Sequence, residues 1–445
     1  MSDALPLPPR PRLDQYRKLA RDLQRACKST RDGAVRAWAT RWMETLLRLR
    51  HVETASDLRR REIDREGDRI ERRWQSFRNR DQLRARCLLV DAQFFVAREH
   101  GFAGWPAFAA HIETLPRPDS PVSNFEAAVE AIVAGDVAAL RTLLRDHPGL
   151  ATARSTRDHH STLLHYVSAN GVEDFRQKTP LNIVEIARLL LEAGADVNAT
   201  SEAYGGGSTA LGLTATSVHP QRAGVQIALL ETLLQSGATI EQASAADAGT
   251  AITSCLANGQ PEAAAYLASR GAVMNLEGAA GLGRLDIVRG FFDETGSPAT
   301  EASSEQLAKG LLNACGYRHR DVVRFLLDAG VDPNVRARGG ETALHWASFG
   351  PDPDIARLLL QRGAAVDARD DRFKATPLDW TLYAWATADG ASRERGYDLA
   401  ALLVQAGARV HIPWLEPGAA EQARTDPRMR EILRGAIAAN APDVS

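Results

Sequence analysis

One phrase recurs along this chain and limits its possible folds more than any other feature. VEIARLLLEAGADVNAT at 184–200 returns as DVVRFLLDAGVDPNVR at 321–336 and DIARLLLQRGAAVDAR at 354–369, and more weakly at 229–241 and 398–412. A second phrase leads most copies: STLLHYVSANG from Ser161, STALGLTATS from Ser208, GTAITSCLANG from Gly249, ETALHWASFG from Glu341 and ATPLDWTLYA from Ala375. Such self-similarity marks stacked supersecondary units, each too small to bury its own apolar face. Stability then has to come from neighbours.

Each copy carries its own instructions. Thr162, Thr209, Thr250, Thr342 and Thr376 stand where a side-chain oxygen can cap a first helix by accepting a backbone N–H. The Leu and Ala residues that follow make a thin apolar face, so neighbouring helices can approach. A second helix buries its L-L-L face and stops at a glycine such as Gly194 or Gly363, in a left-handed conformation where a Cβ would clash. These features resemble the ankyrin repeat, whose first helix carries T-P-L-H-x-A and whose second ends in L-L-L-x-x-G-A. Only Thr162–His165 and Thr342–His345 keep the histidine, and only Thr376 is followed by proline. The resemblance implies an all-α fold, an ankyrin-repeat solenoid of helix–turn–helix layers with short β-hairpin fingers. Weaker units at Asn124–Asp146, Asn275–Gly296 and Lys309–Gly330 bring the count to eight.

Frame spacing locates the irregular repeats. Thr342 to Gly363 and Thr250 to Gly271 are each 21 positions, whereas Thr162 to Gly194, Thr209 to Gly237 and Thr376 to Gly407 exceed that by 11, 7 and 10. Each excess falls between the two helices. Between Gly271 and Asn275 there is no room for a finger.

The first 117 residues do not repeat and read as a basic helical bundle. They hold 25 Lys and Arg against 16 Asp and Glu, while the remainder holds 29 against 40. Arg61, Arg65, Arg69 and Arg73 form a row on one helix face, but Asp57, Glu62, Asp64, Glu66 and Asp68 flank it, so a solvated surface is expected rather than a nucleic-acid site. DAQFFVAREHGFAGWPAFAAHIE at 91–113 resembles a helical segment that precedes bacterial ankyrin arrays. Gly101 should stop one helix and Pro106 open the next, with Phe102, Trp105 and Phe108 packing the corner. The expected organisation is a helical domain at 1–117, a linker at 118–122, repeats at 123–412, and a helical cap and tail at 413–445. A bacterial cytoplasmic protein is expected, with no signal peptide and no membrane span. Cys27, Cys87, Cys255 and Cys315 lie far apart and read as buried reduced thiols.

YGGGSTALGL at 204–213 satisfies the G-x-G-x-x-G/A spacing of a dinucleotide turn. That turn needs an apolar strand before it, and here a repeat finger, DVNATSEAY, comes instead. Gly205, Gly206 and Gly207 are therefore expected to lengthen a permissive finger, and with Tyr204 and Asn170 they are candidate partner contacts. Phe349, near the end of a first helix, is the strongest such candidate. Trp346 and Tyr166 read as core, and Trp380, Tyr383 and Trp385 as packing under the DGASRERG stretch. The insertions VEDFRQKTPLN and VHPQRAGVQI are expected to touch, grouping Arg176, Gln177, Lys178, His219, Gln221 and Arg222. Two readings stand for that group: a brace through His219 and Phe175, or a pocket for a small anionic ligand, for which Arg forks and Lys suit the geometry. His159, His160 and His165 lack a spaced fourth ligand, so no metal is expected, and no cofactor or catalytic motif is recognised. The expected function is a scaffold that binds a protein partner through its concave finger and first-helix surface. The alternative is an enzyme or small-molecule receptor centred on the two insertions.

Overall fold

Amphipathic periodicity in the non-repeating segment becomes five helices: α1 (Leu13–Lys28), α2 (Ala34–Leu49), α3 (Asp57–Asn79), α4 (Leu89–Glu99) and α5 (Trp105–Thr114). The structure is a computed structural model, described for residues 5–8, 11–49, 57–79, 86–170, 173, 176–241, 249–294, 297–298, 303–409 and 422–438. The chain divides into two units, 1–246 and 247–445. The helical bundle and the first three repeats belong to the first unit, and five repeats to the second.

The bundle closes on an aromatic core of Trp38, Trp42, Trp74, Phe95, Phe102 and Phe108. Gly101 follows α4 at φ 80°, and Pro106 sits in the first turn of α5. Phe108 then meets Phe102 at 5.3 Å and Trp105 at 5.6 Å, which makes the expected corner. The Arg row on α3 is partly neutralised: Arg69 pairs with Glu66 at 2.7 Å and Arg73 with the buried Glu99 at 3.2 Å.

The cysteines correct one expectation. Cys27 and Cys87 form a disulfide, with Cα atoms 6.0 Å apart across 60 residues of sequence. The bundle brings the end of α1 against the segment before α4, and linear spacing carries no trace of that approach. Cys255 and Cys315 are buried free thiols.

Eight helix pairs follow. In the first unit they are α6 (Pro121–Ala134) with α7 (Val137–Asp146), α8 (Leu163–Tyr166) with α9 (Ile183–Glu192), and α10 (Ala210–Thr216) with α12 (Gln226–Gln235), the short α11 (Val218–Arg222) lying between the last two. In the second unit α13 (Ala251–Ala257) pairs with α14 (Pro261–Ser269), α15 (Leu276–Gly281) with α16 (Leu285–Arg289), and α17 (Ser304–Gly316) with α18 (Arg320–Asp328). There α19 (Ala343–Phe349) also pairs with α20 (Pro353–Gln361), and α21 (Pro377–Thr387) with α22 (Gly390–Gln405). Within each unit, first helices pack on first helices of the next pair. A last helix, α23 (Pro427–Ala438), covers α22, and Tyr397 donates its hydroxyl to Asp426 at 2.8 Å.

Threonines at the N-cap explain where five of the pairs start. Thr209, Thr250 and Thr376 accept the backbone N–H of Gly212, Thr253 and Asp379. His165 and His345 do more than cap. Their Nδ1 atoms accept the N–H of Thr162 and Thr342 at 3.1 and 3.0 Å, which leaves each Nε2–H to donate to a carbonyl of the next repeat, Ser208 and Ala375, both at 3.1 Å. A neutral imidazole of one tautomer therefore stitches neighbouring layers. Where the sequence has Asp379 instead, its carboxylate accepts the Thr376 N–H at 2.8 Å.

The three irregular repeats spend their extra residues differently. In the repeat of α10 they form α11. In the last repeat they lengthen both helices, so DGASRERG becomes the first two turns of α22 rather than a loop. Gly396 there faces Trp385, where an added Cβ would lie 2.9 Å from the Cβ of Trp385; of the three aromatics expected to pack there, Trp385 is fully buried, whereas Tyr383 is 42% exposed. The insertion after α8 turns back toward the preceding repeat: Asn182 donates to the Gly135 carbonyl at 2.8 Å, and Arg176 pairs with Glu126 on α6.

Candidate functional site

Two surfaces of the repeats hold the residues singled out from the sequence. The first lies on α19 and α21. Phe349, the last residue of α19, is 51% exposed, because the chain turns at Gly350 before it can be covered. Its ring stands 5.9 Å from Trp380 on α21, and Trp346 stands 5.7 Å from the same indole. Trp380 is fixed by its N–H, which donates to Asp370 at 3.1 Å. Tyr383, one turn further along α21, is 42% exposed. Half-buried Trp346 and Trp380 thus form the base of a ridge whose crest is Phe349 and Tyr383. Large aromatics of this kind supply most of the energy in a protein interface.

The second surface runs from the finger before α10 to the end of α8. Strands β1 (Thr200–Ser201) and β2 (Ser208–Thr209) pair antiparallel, Thr200 opposite Thr209, and Tyr204–Gly207 lie in the loop between them. That is a hairpin, not the turn of a dinucleotide site. Gly206, at φ 102° and ψ 164°, occupies a region essentially restricted to glycine. Tyr204 turns its hydroxyl onto Asn170 Oδ1, and Asn170 Nδ2 donates to the Leu213 carbonyl at 2.9 Å and to Thr216 Oγ1 at 3.1 Å. Asn170 and Tyr204, read as partner contacts, are thus staples between finger and helix end, although half of Tyr204 remains exposed.

Below them lies a charged cluster that sequence reasoning missed. Arg157 comes from the first finger and has no exposed surface; its guanidinium pairs with Glu173 at 3.0 Å and with Glu126 at 3.8 Å, and donates to the His100 carbonyl at 2.9 Å. Glu173 also faces Arg176 at 3.3 Å and His159 Nε2 at 2.9 Å, and accepts the Tyr166 hydroxyl at 2.8 Å. Two guanidiniums and two carboxylates therefore share one buried site. Burial pushes the Glu173 carboxyl up, but Arg157 and then Arg176 outweigh it and hold it well below the usual range. Tyr166 is raised by burial and by the adjoining Glu173. The sequence held one clue, the opposite charges of Glu173 and Arg176 three residues apart inside an insertion.

Of the six residues grouped as a ligand site, Arg176 and Gln177 line one cleft. Arg176 is committed to carboxylates. With Gln177 and Asn170 it lines a cleft of about 30 Å³, far below the roughly 300 Å³ of the smallest small-molecule pockets. Lys178, Gln221 and Arg222 are exposed, and His219 is half-buried on α11. Phe175, the other half of the expected brace, lies outside the described residues. His159 and His165 spend both ring nitrogens on protein groups. Among the described residues no cluster of His, Cys, Asp and Glu is placed to hold a metal.

Comparison with known proteins bears on the repeats. A family model of three ankyrin repeats matches residues 276–370 and 311–412, and a single-repeat model matches 159–202. A putative ankyrin repeat-containing protein of Treponema pallidum is 41% identical over 69 residues, which is 16% of this chain and 23% of that protein. Palmitoyltransferase Hip14 of Drosophila melanogaster is 37% identical over 90 residues, 20% of this chain and 13% of its own length. Protein PhlB of Serratia liquefaciens is 43% identical over 58 residues, 13% of this chain and 26% of its own. The chain thus spans about a quarter or less of these relatives. Among solved structures, the ankyrin repeat domain of human ASB11 is 20% identical, with a TM-score of 0.33, covering 64% of this chain and 99% of that one. The ankyrin repeat domain of Bcl-3 is 21% identical with a TM-score of 0.29, covering 59% and 93%.

Proposed function

We propose, from the premise that this chain is an ankyrin-repeat protein, that it binds a protein partner through the aromatic ridge on α19 and α21. Ankyrin repeats are typical protein-interaction modules, and a rigid stack recognises a surface without reacting with it. The observation that carries the reading is Phe349: a large aromatic half exposed at the end of a first helix, seated on Trp380. A side chain held there serves packing poorly and a partner's apolar pocket well. Replacing Phe349 with Asp places a charge on the crest. It is expected to abolish co-purification of a partner captured with the unaltered chain, while the melting temperature stays within about 2 °C. Retained capture, or loss of folding, defeats the assignment.

A bacterial cytoplasmic home is the companion proposal. No helix among the described residues is long and apolar enough to cross a membrane. In a reducing compartment Cys27 and Cys87 would stand as two thiols. Alkylation of the denatured chain from rapidly quenched cells reads this directly: label on Cys27 and Cys87 themselves supports the cytoplasm, and an unlabelled bonded pair retires it.

A further inference from the structure

The disulfide of the bundle sits where a bond is not needed to fold it. Domains rely on disulfides when they are too small to build a core. Here Leu23, Trp38, Ile70, Trp74 and Phe95 already close one, and Cys27 packs only at its margin. The two sulfurs also differ in access. Cys27, in the last turn of α1, is half-buried, whereas Cys87 is 4% exposed. A small thiol can therefore reach one sulfur of the bond and not the other.

The setting keeps the pair in register without the bond. Gln24, one turn before Cys27 on the same helix, donates a side-chain N–H to the Cys87 carbonyl at 3.1 Å. Phe95 and Val96 anchor the body of α4 in the core. Reclosing the bond is then a step between groups already placed side by side, which favours it entropically. The other end of α4 leads to the repeats: the carbonyls of His100 and Gly101 accept from the Arg157 guanidinium and the Asp158 N–H, at 2.9 and 2.8 Å. The bond thus tethers the start of a helix whose far end holds the first finger.

We infer that Cys27 and Cys87 form a reversible redox clasp, opened by a low-molecular-weight thiol that attacks Cys27, and that it sets how firmly the bundle grips the first finger. With glutathione as the thiol, its thiolate bonds to Cys27 Sγ; the S–S bond breaks, and its electron pair leaves on Cys87 Sγ, which takes a proton. A second glutathione thiolate attacks the glutathione sulfur of this mixed disulfide, so that Cys27 leaves, is protonated, and glutathione disulfide departs. The chain gains two electrons, supplied by two glutathiones. The inference is independent of the partner reading, and its test on purified chain does not depend on the compartment.

The full chain is equilibrated at stepped ratios of glutathione to its disulfide, quenched with acid and mapped by peptide mass. Near-ultraviolet dichroism follows the tryptophan core, and hydrogen exchange follows the Asp158 amide. One reversible two-electron transition is expected, with native dichroism at both ends and Asp158 protection falling by up to about three decades on opening. Cys87→Ser should take up one glutathione on Cys27, and folded Cys27→Ser none on Cys87. Gln24→Ala should open at an about fivefold lower ratio of squared glutathione to its disulfide, the worth of one hydrogen bond. A reduced chain, or a Cys27→Ser chain, that loses native dichroism makes the bond structural and overturns the clasp. A bond that glutathione leaves intact, or a mixed disulfide on Cys87, also overturns it, and equal Asp158 exchange in the two states overturns its hold on the finger.

Discussion

Glu173→Gln is the sharpest probe of what holds the first unit together. The amide keeps the shape of the side chain and can still accept from Tyr166, but it carries no charge. Arg157, with no exposed surface, and Arg176, at 10% side-chain exposure, would then share the charge of Glu126 where they had shared two carboxylates. Removing one partner from a buried ion pair costs about 3–5 kcal/mol, because the other charge is left uncompensated away from water. Glu130 supplies the control: it faces the same Arg176 at 3.7 Å but is 67% exposed. Water screens that pair, and Glu130→Gln should change stability by less than about 0.5 kcal/mol. Native-state hydrogen exchange at the buried amides of α6 reads both variants in one unit of a two-unit chain. At about 1.4 kcal/mol per decade, protection in Glu173→Gln should fall by about two to three and a half decades. A loss below about 1 kcal/mol, or equal losses for the two variants, would refute the claim that burial rather than mere proximity makes this cluster matter.

Other perturbations follow from the same coordinates. Cys27→Ser opens a loop spanning 60 residues, and the chain-entropy relation puts the loss at about 4 kcal/mol; urea denaturation of the bundle should show it, and a reductant should produce the same loss in the unaltered chain and none in the variant. Acid should weaken the first unit through its buried histidines. Burial lowers His100 to about 3 and His111 and His165 to about 4. Unfolded histidines take up protons below about pH 6.5 that these folded ones refuse. Stability is therefore whole above that pH and falls toward about pH 4, by up to about 1.4 kcal/mol per pH unit for each histidine. Urea midpoints measured across that window should show the decline, with a shallower slope in His165→Gln; a flat profile would mean the imidazoles are not held neutral.

The repeats were legible in the sequence because an ankyrin layer is specified locally. Thr342 caps the helix that begins at the next residue, and Gly363 ends its partner helix two turns after Ile355 is buried; no distant residue is needed to see either. The corner of Gly101, Phe102, Pro106 and Phe108 was readable for the same reason. Phe349 could be placed on a first-helix end, and its exposure then follows from the frame. How the two insertions fold was not legible, because the frame says where extra residues lie, not which way they turn. VEDFRQKTPLN turned back toward α6 once Arg176 found Glu126.

By itself, then, the sequence determined the layered all-α architecture, its eight pairs and the lengthened finger at Tyr204–Gly207, since caps, stops and apolar faces act within one or two turns. Only the tertiary structure decided that Cys27 meets Cys87 and that Arg157 is buried against Glu173. Each of these depends on groups brought together from distant positions, where electrostatics and packing have no linear period to betray them.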